Sequence, residues 1–322
     1  MKNKIISLAL VAGLSACGGG NPFDETDSTD EVTEEEISTI PEEISQSLES
    51  FTYNAENETL TVAGVPTDDR TVNGVYTRRP ALDLVGYEAY TAQDGSLDRL
   101  FTAYVRDIRG TRAVTIVSGG QFGEFIVGNG YSNTTYTAPV APDSEQDGGL
   151  VSYAGNYVGL LNASDGNDGD LLPVAAGTPE EVLSSQAAEV TGRALITGDF
   201  QDLSMTGIVF DRVVIDVNND GEQEAGTTDP LQVPDLLLNL TDIAEDGTFF
   251  GPVERGEFND QAGGSVGTYG GIFGGVGATE VAGIVVVQSH IPTGSGLIEN
   301  GTFVLSQCGQ ADEDPLCNQP VE

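Results

Sequence analysis

The sequence lacks most of the residues on which catalytic and metal centres depend. Its 322 residues contain no tryptophan, three cysteines and a single histidine, His290. No Gly-x-Ser-x-Gly elbow and no phosphate-binding glycine loop occurs, and one histidine cannot build a histidine-based metal centre. We therefore predict that the protein is not an enzyme, and that His290 is an isolated residue on the surface or at the rim of the fold.

Positive charge and long apolar runs are also scarce. Lys2 and Lys4 are the only lysines, so the chain beyond residue 16 carries ten arginines against 51 acidic residues, a net charge of −41. A field of that sign repels nucleic acids and anionic membrane surfaces, so we expect no nucleic-acid partner. No run reaches the ~18 unbroken apolar residues that a membrane-spanning helix needs.

The first 17 residues have the pattern of an export signal. Lys2 and Lys4 precede an apolar run at residues 5–14, which is too short to cross a bilayer but suits a signal peptide. The following Leu-Ser-Ala-Cys, which ends at Cys17, resembles the lipobox of bacterial lipoproteins. The resemblance implies removal of residues 1–16, a diacylglycerol on the Cys17 thiol and an acyl chain such as palmitate on its new amino terminus. An ordinary secretory signal is the alternative.

Residues 17–48 form an acidic segment with serine and threonine between the carboxylates. Such a composition cannot bury a core, so we predict a disordered tether in which residues 41–48 form at most a transient helix. Gly18 is not the acidic residue that retains many lipoproteins in the inner membrane. The lipoprotein resemblance therefore implies an outer-membrane location, with the lipid as the membrane contact.

Two cysteines remain once Cys17 carries lipid. Cys308 and Cys317 are an even pair in a chain that we expect outside the cytoplasm, which favours a disulfide that closes a tail at residues 308–322. A metal site is disfavoured because the only histidine is His290.

From residue 49 onwards, short apolar runs are punctuated by glycine, asparagine and aspartate, which is typical of strands and turns. We predict a small β-rich domain at residues 49–145, with strands at 59–65, 74–77, 101–106, 113–118 and 124–127. Eight further strands are enough to close an antiparallel barrel at residues 146–307. These lie at about 150–161, 190–199, 204–217, 233–243, 247–254, 265–274, 279–290 and 297–306. A cap at Thr178, followed by proline and two glutamates, predicts one helix to about Ala188.

Residues 270–283 read Gly-Gly-Ile-Phe-Gly-Gly-Val-Gly-Ala-Thr-Glu-Val-Ala-Gly. Their glycine–aromatic–glycine and Ala-x-Glu-x-x-Gly elements resemble a hairpin of lipoproteins like transferrin-binding protein B. The resemblance implies a mainly β fold, in which a small handle-like sheet domain precedes an eight-stranded antiparallel barrel. The chain has room for one such lobe, so single-lobed surface lipoproteins that bind haemoglobin or complement factors are the closer comparison. The motif residues are Gly271, Phe273, Gly274, Ala278, Glu280 and Gly283.

One acidic segment has the pattern of a cation site. Oxygen ligands at alternate positions, with glycine at the sixth, match the first half of a calcium-binding loop. Position twelve is Thr227 instead of glutamate, so an acidic β-turn is the alternative. Calcium is the one candidate cofactor, and its candidate ligands are Asp216, Asn218, Asp220 and Glu222.

Seven of the ten arginines lie between residues 70 and 112. They either form a recognition face for an acidic partner or pair internally with neighbouring carboxylates. The carboxylates closest to them in the sequence include Asp68, Asp69, Asp98 and Asp107.

These features predict a lipid-anchored outer-membrane protein, monomeric and displayed on the cell surface. It captures a protein ligand, or a metal- or haem-bearing one, for a partner receptor, as in iron acquisition. The ligand class rests on the family resemblance. A structural or adhesive envelope lipoprotein with no small-molecule ligand is the alternative.

Overall fold

The structure is a computed structural model that describes residues 35–36, 40–67, 73–139, 149–164, 170–215, 231–256, 264–291 and 296–319. The predicted lipidation site, Cys17, and the predicted calcium ligands at residues 216–222 lie outside these described residues. The described residues form a mainly β fold, which confirms the predicted class. Among them, no helix combines the length and apolarity needed to cross a membrane.

The N-terminal sheet is an antiparallel meander in which each strand pairs with the next one in the chain. Buried residues alternate with half-buried ones along β2 and β3, so one face of the sheet points into a core. The strands are β1 Glu35–Glu36, β2 Ser50–Asn54, β3 Thr59–Ala63, β4 Asn73–Arg78, β5 Glu88–Ala92, β6 Phe101–Ile108, β7 Thr111–Ser118 and β8 Val127–Asn133.

A short helix, α1 (Glu42–Ser45), lies at the end of this sheet. It falls within the segment that was predicted to be a disordered tether. Ile44 at the helix is fully buried, and Ile40 and Leu48 are nearly so. The side-chain amide of Asn129 donates a 2.9 Å hydrogen bond to the carbonyl of Ile44. Residues 40–48 were predicted to belong to the tether, but their apolar side chains fill the core. The ordered part of the chain therefore begins before residue 49.

The second sheet is a closed antiparallel barrel of eight strands. Each strand pairs with its neighbours, and β10 closes the barrel against β18. The strands are β10 Leu150–Ser164, β11 Ala187–Asp199, β12 Ser204–Ile215, β14 Leu236–Asp242, β15 Thr248–Arg255, β16 Ser265–Val276, β17 Glu280–Gln288 and β18 Ile298–Gln307. Two short strands are added at its margins: β9 (Tyr136–Thr137) pairs with β16, and β13 (Leu231–Val233) pairs with β12.

The N-terminal sheet packs against the outside of the barrel. Its apolar face forms one core with Ala282 and Ile284 of β17 and Val304 of β18. A second cluster joins Tyr87 and Tyr104 of the sheet to β10 and β11. One side of the barrel wall is therefore interior, and the fold has two buried layers, one inside the barrel and one between sheet and barrel.

The glycine-rich motif lies at this junction. On the inner side of the barrel wall, the Phe273 ring packs against Tyr153, Phe200 and Phe249, with ring centroids 5.0–5.4 Å apart. On the outer side, an added Cβ at Gly274 would lie 1.8 Å from the hydroxyl oxygen of Thr111. Glycine at this position therefore lets β16 touch the N-terminal sheet.

Of the remaining motif residues, Glu280 also ties the two sheets together, and Gly283 and Ala278 pack within the barrel. The Glu280 side chain is almost fully buried and forms an ion pair with Arg109, which lies in the turn between β6 and β7. Gly283 faces the Phe303 ring at a distance that excludes a side chain, since an added Cβ would be 2.3 Å away. Ala278 is buried in the turn before β17, where its backbone is left-handed (φ 51°).

The helix predicted from Thr178 to Ala188 is wrong. The structure has a single 3-10 turn at Glu180–Val182, and β11 already begins at Ala187. The predicted cap fails because the Thr178 hydroxyl donates to the carbonyl of Ala175 instead of capping the turn. Extended backbone is favoured here because residues after Val182 pack along the N-terminal sheet, where Ser184 accepts a hydrogen bond from the backbone of Leu100.

The C-terminal tail is held by the predicted disulfide between Cys308 and Cys317. Two carboxylates of the closed loop bind arginines outside it. Asp314 pairs with Arg193 of β11, and Asp312 lies 2.7 Å from Arg109 of the N-terminal sheet. The tail thus joins barrel and sheet.

We predict that Gly274→Val destabilises the fold by roughly 1–3 kcal/mol, because the new side chain overlaps Thr111 in a packed interface. Urea unfolding measures the effect. Gly264→Val is the control, because an added Cβ there has no atom within 4 Å. Equal losses in the two variants would contradict the assigned close contact.

We predict that the buried Glu189 makes the stability of the fold depend on pH. Burial between sheet and barrel raises the pKa of Glu189 from 4.5 to about 7, although Tyr104 and Gln186 donate hydrogen bonds to it. The folded state then holds this proton more tightly than the unfolded state, so stability falls as pH rises from about 4.5 to 7.

We expect Glu189→Gln to remove this loss, raising the free energy of unfolding at pH 8 by up to about 3 kcal/mol and leaving it unchanged at pH 4.5. Denaturant unfolding at the two pH values tests it, with the exposed Glu56→Gln as control. A gain of equal size at both pH values would contradict the explanation.

Candidate functional site

The barrel interior is filled by side chains. Tyr153, Tyr269, Phe273 and Phe303 are fully buried there, packed among aliphatic residues from every wall of the barrel. Proteins that carry a small ligand inside a barrel leave a cavity for it. In the described part of this barrel, aromatic rings occupy that space.

A buried polar cluster completes the interior. Glu299 forms an ion pair with Arg212, accepts a 2.6 Å hydrogen bond from Tyr157 and lies 2.9 Å from His290. Burial alone would raise the pKa of Glu299, but Arg212, His290 and Tyr157 lower it to about 2. The ion pair therefore stabilises the fold above about pH 4.5, and this contribution is lost as pH falls towards 2.

The position of His290 corrects the sequence prediction. It was expected on the surface or at the rim, but its side chain is fully buried and bound to Glu299. The sequence prediction considered only that His290 lies at the end of a strand. Its partner, Glu299, lies nine residues later, on β18. The cluster has the geometry of a structural ion pair inside a packed core.

Several of the clustered arginines that the structure describes pair internally. Arg78 binds Asp83 through two nitrogens, Arg79 lies 2.9 Å from Asp170, and Arg112 lies 2.8 Å from Asp107. Of the carboxylates proposed from the sequence, Asp107 is thus confirmed as a partner, and Asp68 and Asp69 lie outside the described residues. A recognition face for an acidic partner is not supported, because these guanidinium groups already hold the chain together.

An exposed aromatic hairpin stands out on the N-terminal sheet. Between β7 and β8, residues 121–124 form a two-residue turn in which Gln121 and Glu124 pair. Both central residues are left-handed, with φ 54° at Phe122 and 78° at Gly123. This turn type favours asparagine or glycine, and a bulky side chain at such a φ strains the backbone. The Phe122 side chain is nevertheless 70% exposed.

The base of the hairpin is rigid. Gln121 is buried, and its side-chain amide donates hydrogen bonds of 2.5 Å to the carbonyl of Leu97 and 3.1 Å to that of Val182. The Ser118 hydroxyl accepts a 2.8 Å bond from the backbone of Ile126. The exposed ring therefore projects from a fixed support. Phe122 thus combines a strained backbone with an exposed aromatic ring. This combination is typical of a binding site.

A groove of about 580 Å³ adjoins this hairpin. It runs from Gly123 and the half-buried Phe125 across the seam between the N-terminal sheet and the barrel, where Val286 forms part of its wall. Glu43 is its only charged lining residue among those described. The volume falls within the range of ligand-binding clefts, and the mixed lining suits a polypeptide segment with apolar side chains.

Sequence reasoning missed this site because it placed a strand at residues 124–127. The structure has the end of the turn there, and β8 begins only at Val127. The signal was present in the Phe122-Gly123 pair, since glycine in the second position of a two-residue loop favours a hairpin turn.

No protein-family model and no curated protein matches the chain. Among solved structures, intact Ap-TbpB with N and C lobes matches at 13% identity and a TM-score of 0.37, over 82% of this chain and 55% of that one. A double mutant of transferrin binding protein B from Haemophilus parasuis matches at 14% and 0.36, over 82% and 53%.

A structure described as a surface lipoprotein matches at 15% identity and a TM-score of 0.33, over 79% of this chain and 94% of that one. The chain spans about half the length of the two transferrin binding protein B chains described above. Transferrin binding protein B is the class of protein that the motif at residues 270–283 resembles.

We predict that Phe122→Asn leaves the fold intact and raises its stability by up to about 1 kcal/mol, because asparagine tolerates a left-handed backbone and no packing is lost. Thermal unfolding measures the change. A loss of more than about 1 kcal/mol would mean that the ring supports the fold, and would contradict a binding role.

Proposed function

We propose that the protein is a lipid-anchored binding protein of the bacterial surface that captures a protein ligand through the Phe122 hairpin and the adjoining groove. The exposed Phe122 ring on a strained but fixed turn is the observation that carries the proposal. Rigid aromatic side chains are the commonest anchors of protein interfaces, and prior ordering lowers the entropic cost of binding.

The filled barrel supports a macromolecular ligand over a small one. Aromatic rings and the Arg212–Glu299 pair occupy the interior, so the surface is where binding takes place. The lipobox-like sequence at Cys17 supports membrane attachment, and the acidic residues that follow it supply reach from the membrane. The motif resemblance supports a ligand that is a protein or a metal- or haem-bearing protein, delivered to an outer-membrane receptor.

The test is recovery of a ligand by the full lipidated chain on intact cells, incubated with growth medium or host fluid. The wild type is compared with Phe122→Asn and with Val75→Asn, which replaces another exposed apolar residue, 58% exposed, on β4. We expect the wild type and Val75→Asn to recover the same ligand protein. Phe122→Asn should recover at least about tenfold less of it, which is the usual loss for an interface anchor.

Recovery of the same protein by Phe122→Asn would contradict the assigned surface. Failure to recover any specific protein would favour the second function, a structural or adhesive envelope lipoprotein. The filled barrel interior is the observation that favours that alternative. Protease treatment of the same cells, which releases only outward-facing protein, is the control for display.

A further inference from the structure

The opposite wall of the barrel also has the features of a docking surface. The N-terminal sheet packs on strands β10 and β16–β18 and on the first residues of β11, around Ala187. On β11, β12 and β14, the residues that alternate with core positions point outward. Leu195 lies between the buried Ala194 and Ile196, and Leu237 lies between the buried Leu236 and Leu238.

These outward residues form a continuous apolar row. Leu195 is directly opposite Ile208, and Ile208 is directly opposite Leu237. Residues paired in this way have Cβ atoms about 5 Å apart, so the three side chains lie side by side along the wall. Leu237 is 38% exposed, and Leu240 further along β14 is 70% exposed. On a soluble protein, aligned apolar groups of this kind mark an interaction surface.

Two carboxylates flank the row. Asp211 follows Ile208 on β12 and is exposed, with a left-handed backbone of φ 50°, and Asp235 precedes Leu237. Neither makes an ion pair within the described residues. Burial raises the pKa of Asp235 and the negative charge of Asp211 raises it further, whereas Arg212 and a hydrogen bond from the Asp211 backbone lower it. The two carboxylates still repel each other, and an additional cation between them would relieve the repulsion.

The positive charges nearby are already bound. Arg193 pairs with Asp314, and Arg212 points inward to Glu299. Arg255 also has a contact of its own. The described wall therefore offers carboxylates and leucines but no free cation, which makes it complementary to a basic surface that carries apolar side chains.

We propose that this wall, made of Leu195, Ile208 and Leu237 with Asp211 and Asp235, is a second docking surface for a basic protein. It is separate from the Phe122 hairpin and leaves that site free. A lysine or arginine of the partner lies between the two carboxylates, and apolar side chains beside it cover the leucine row.

The probe is the peptide Lys-Leu-Lys-Trp-Lys-Leu-Lys. Because the protein has no tryptophan, a blue shift of the peptide fluorescence reports docking alone. We expect Leu237→Asn and Asp211→Asn each to weaken peptide binding about fivefold or more, and rising salt to weaken it further. Phe122→Asn binds the peptide as the wild type does, which separates this surface from the proposed capture site.

Two variants control for general attraction of the peptide to an acidic protein. Leu150→Asn removes another exposed leucine, 69% exposed, and Glu56→Gln removes another exposed carboxylate. Both should bind normally. Wild-type affinity in Leu237→Asn and Asp211→Asn, or equal loss in the controls, would overturn the proposal, as would a weakening by Phe122→Asn. Circular dichroism of each variant confirms that the barrel is folded.

Discussion

The rest of the structure depends on the close packing of the N-terminal sheet against one side of the barrel wall. That side carries apolar residues on both faces, inward to the aromatic core and outward to the sheet. Strands with two buried faces cannot be left in water, so sheet and barrel stabilise each other. The contact also places the Phe122 hairpin beside the barrel, since the groove is formed at the seam between the two sheets.

Much of this fold was predictable because short apolar runs punctuated by glycine, asparagine and aspartate are typical of strands and turns. All eight barrel strands were predicted, and the glycine motif lies where the structure has a close contact with Thr111. Three features depend on contacts distant in the chain and were missed. Ile44 is buried only because β8 and the barrel cover it, His290 needs Glu299, and the residues after Val182 extend along the N-terminal sheet.

Charge has the second of the two roles that the sequence left open. The arginines between residues 70 and 112 were expected either to form a recognition face or to pair internally, and Arg78, Arg79 and Arg112 pair with carboxylates of the chain. Internal pairing leaves an acidic exterior, in which apolar groups such as Phe122 and Leu237 are the attractive features. Such an exterior repels acidic partners, so the proposed ligands are distinguished by where their apolar and basic groups lie.

Photo-crosslinking tests most directly whether Phe122 contacts a protein ligand. A benzophenone amino acid replaces Phe122 in the full chain on intact cells exposed to growth medium or host fluid, with Val75 replaced in a parallel strain. The account predicts one crosslinked ligand protein from position 122 and none from position 75. No crosslink at 122, or the same products from both positions, would contradict it.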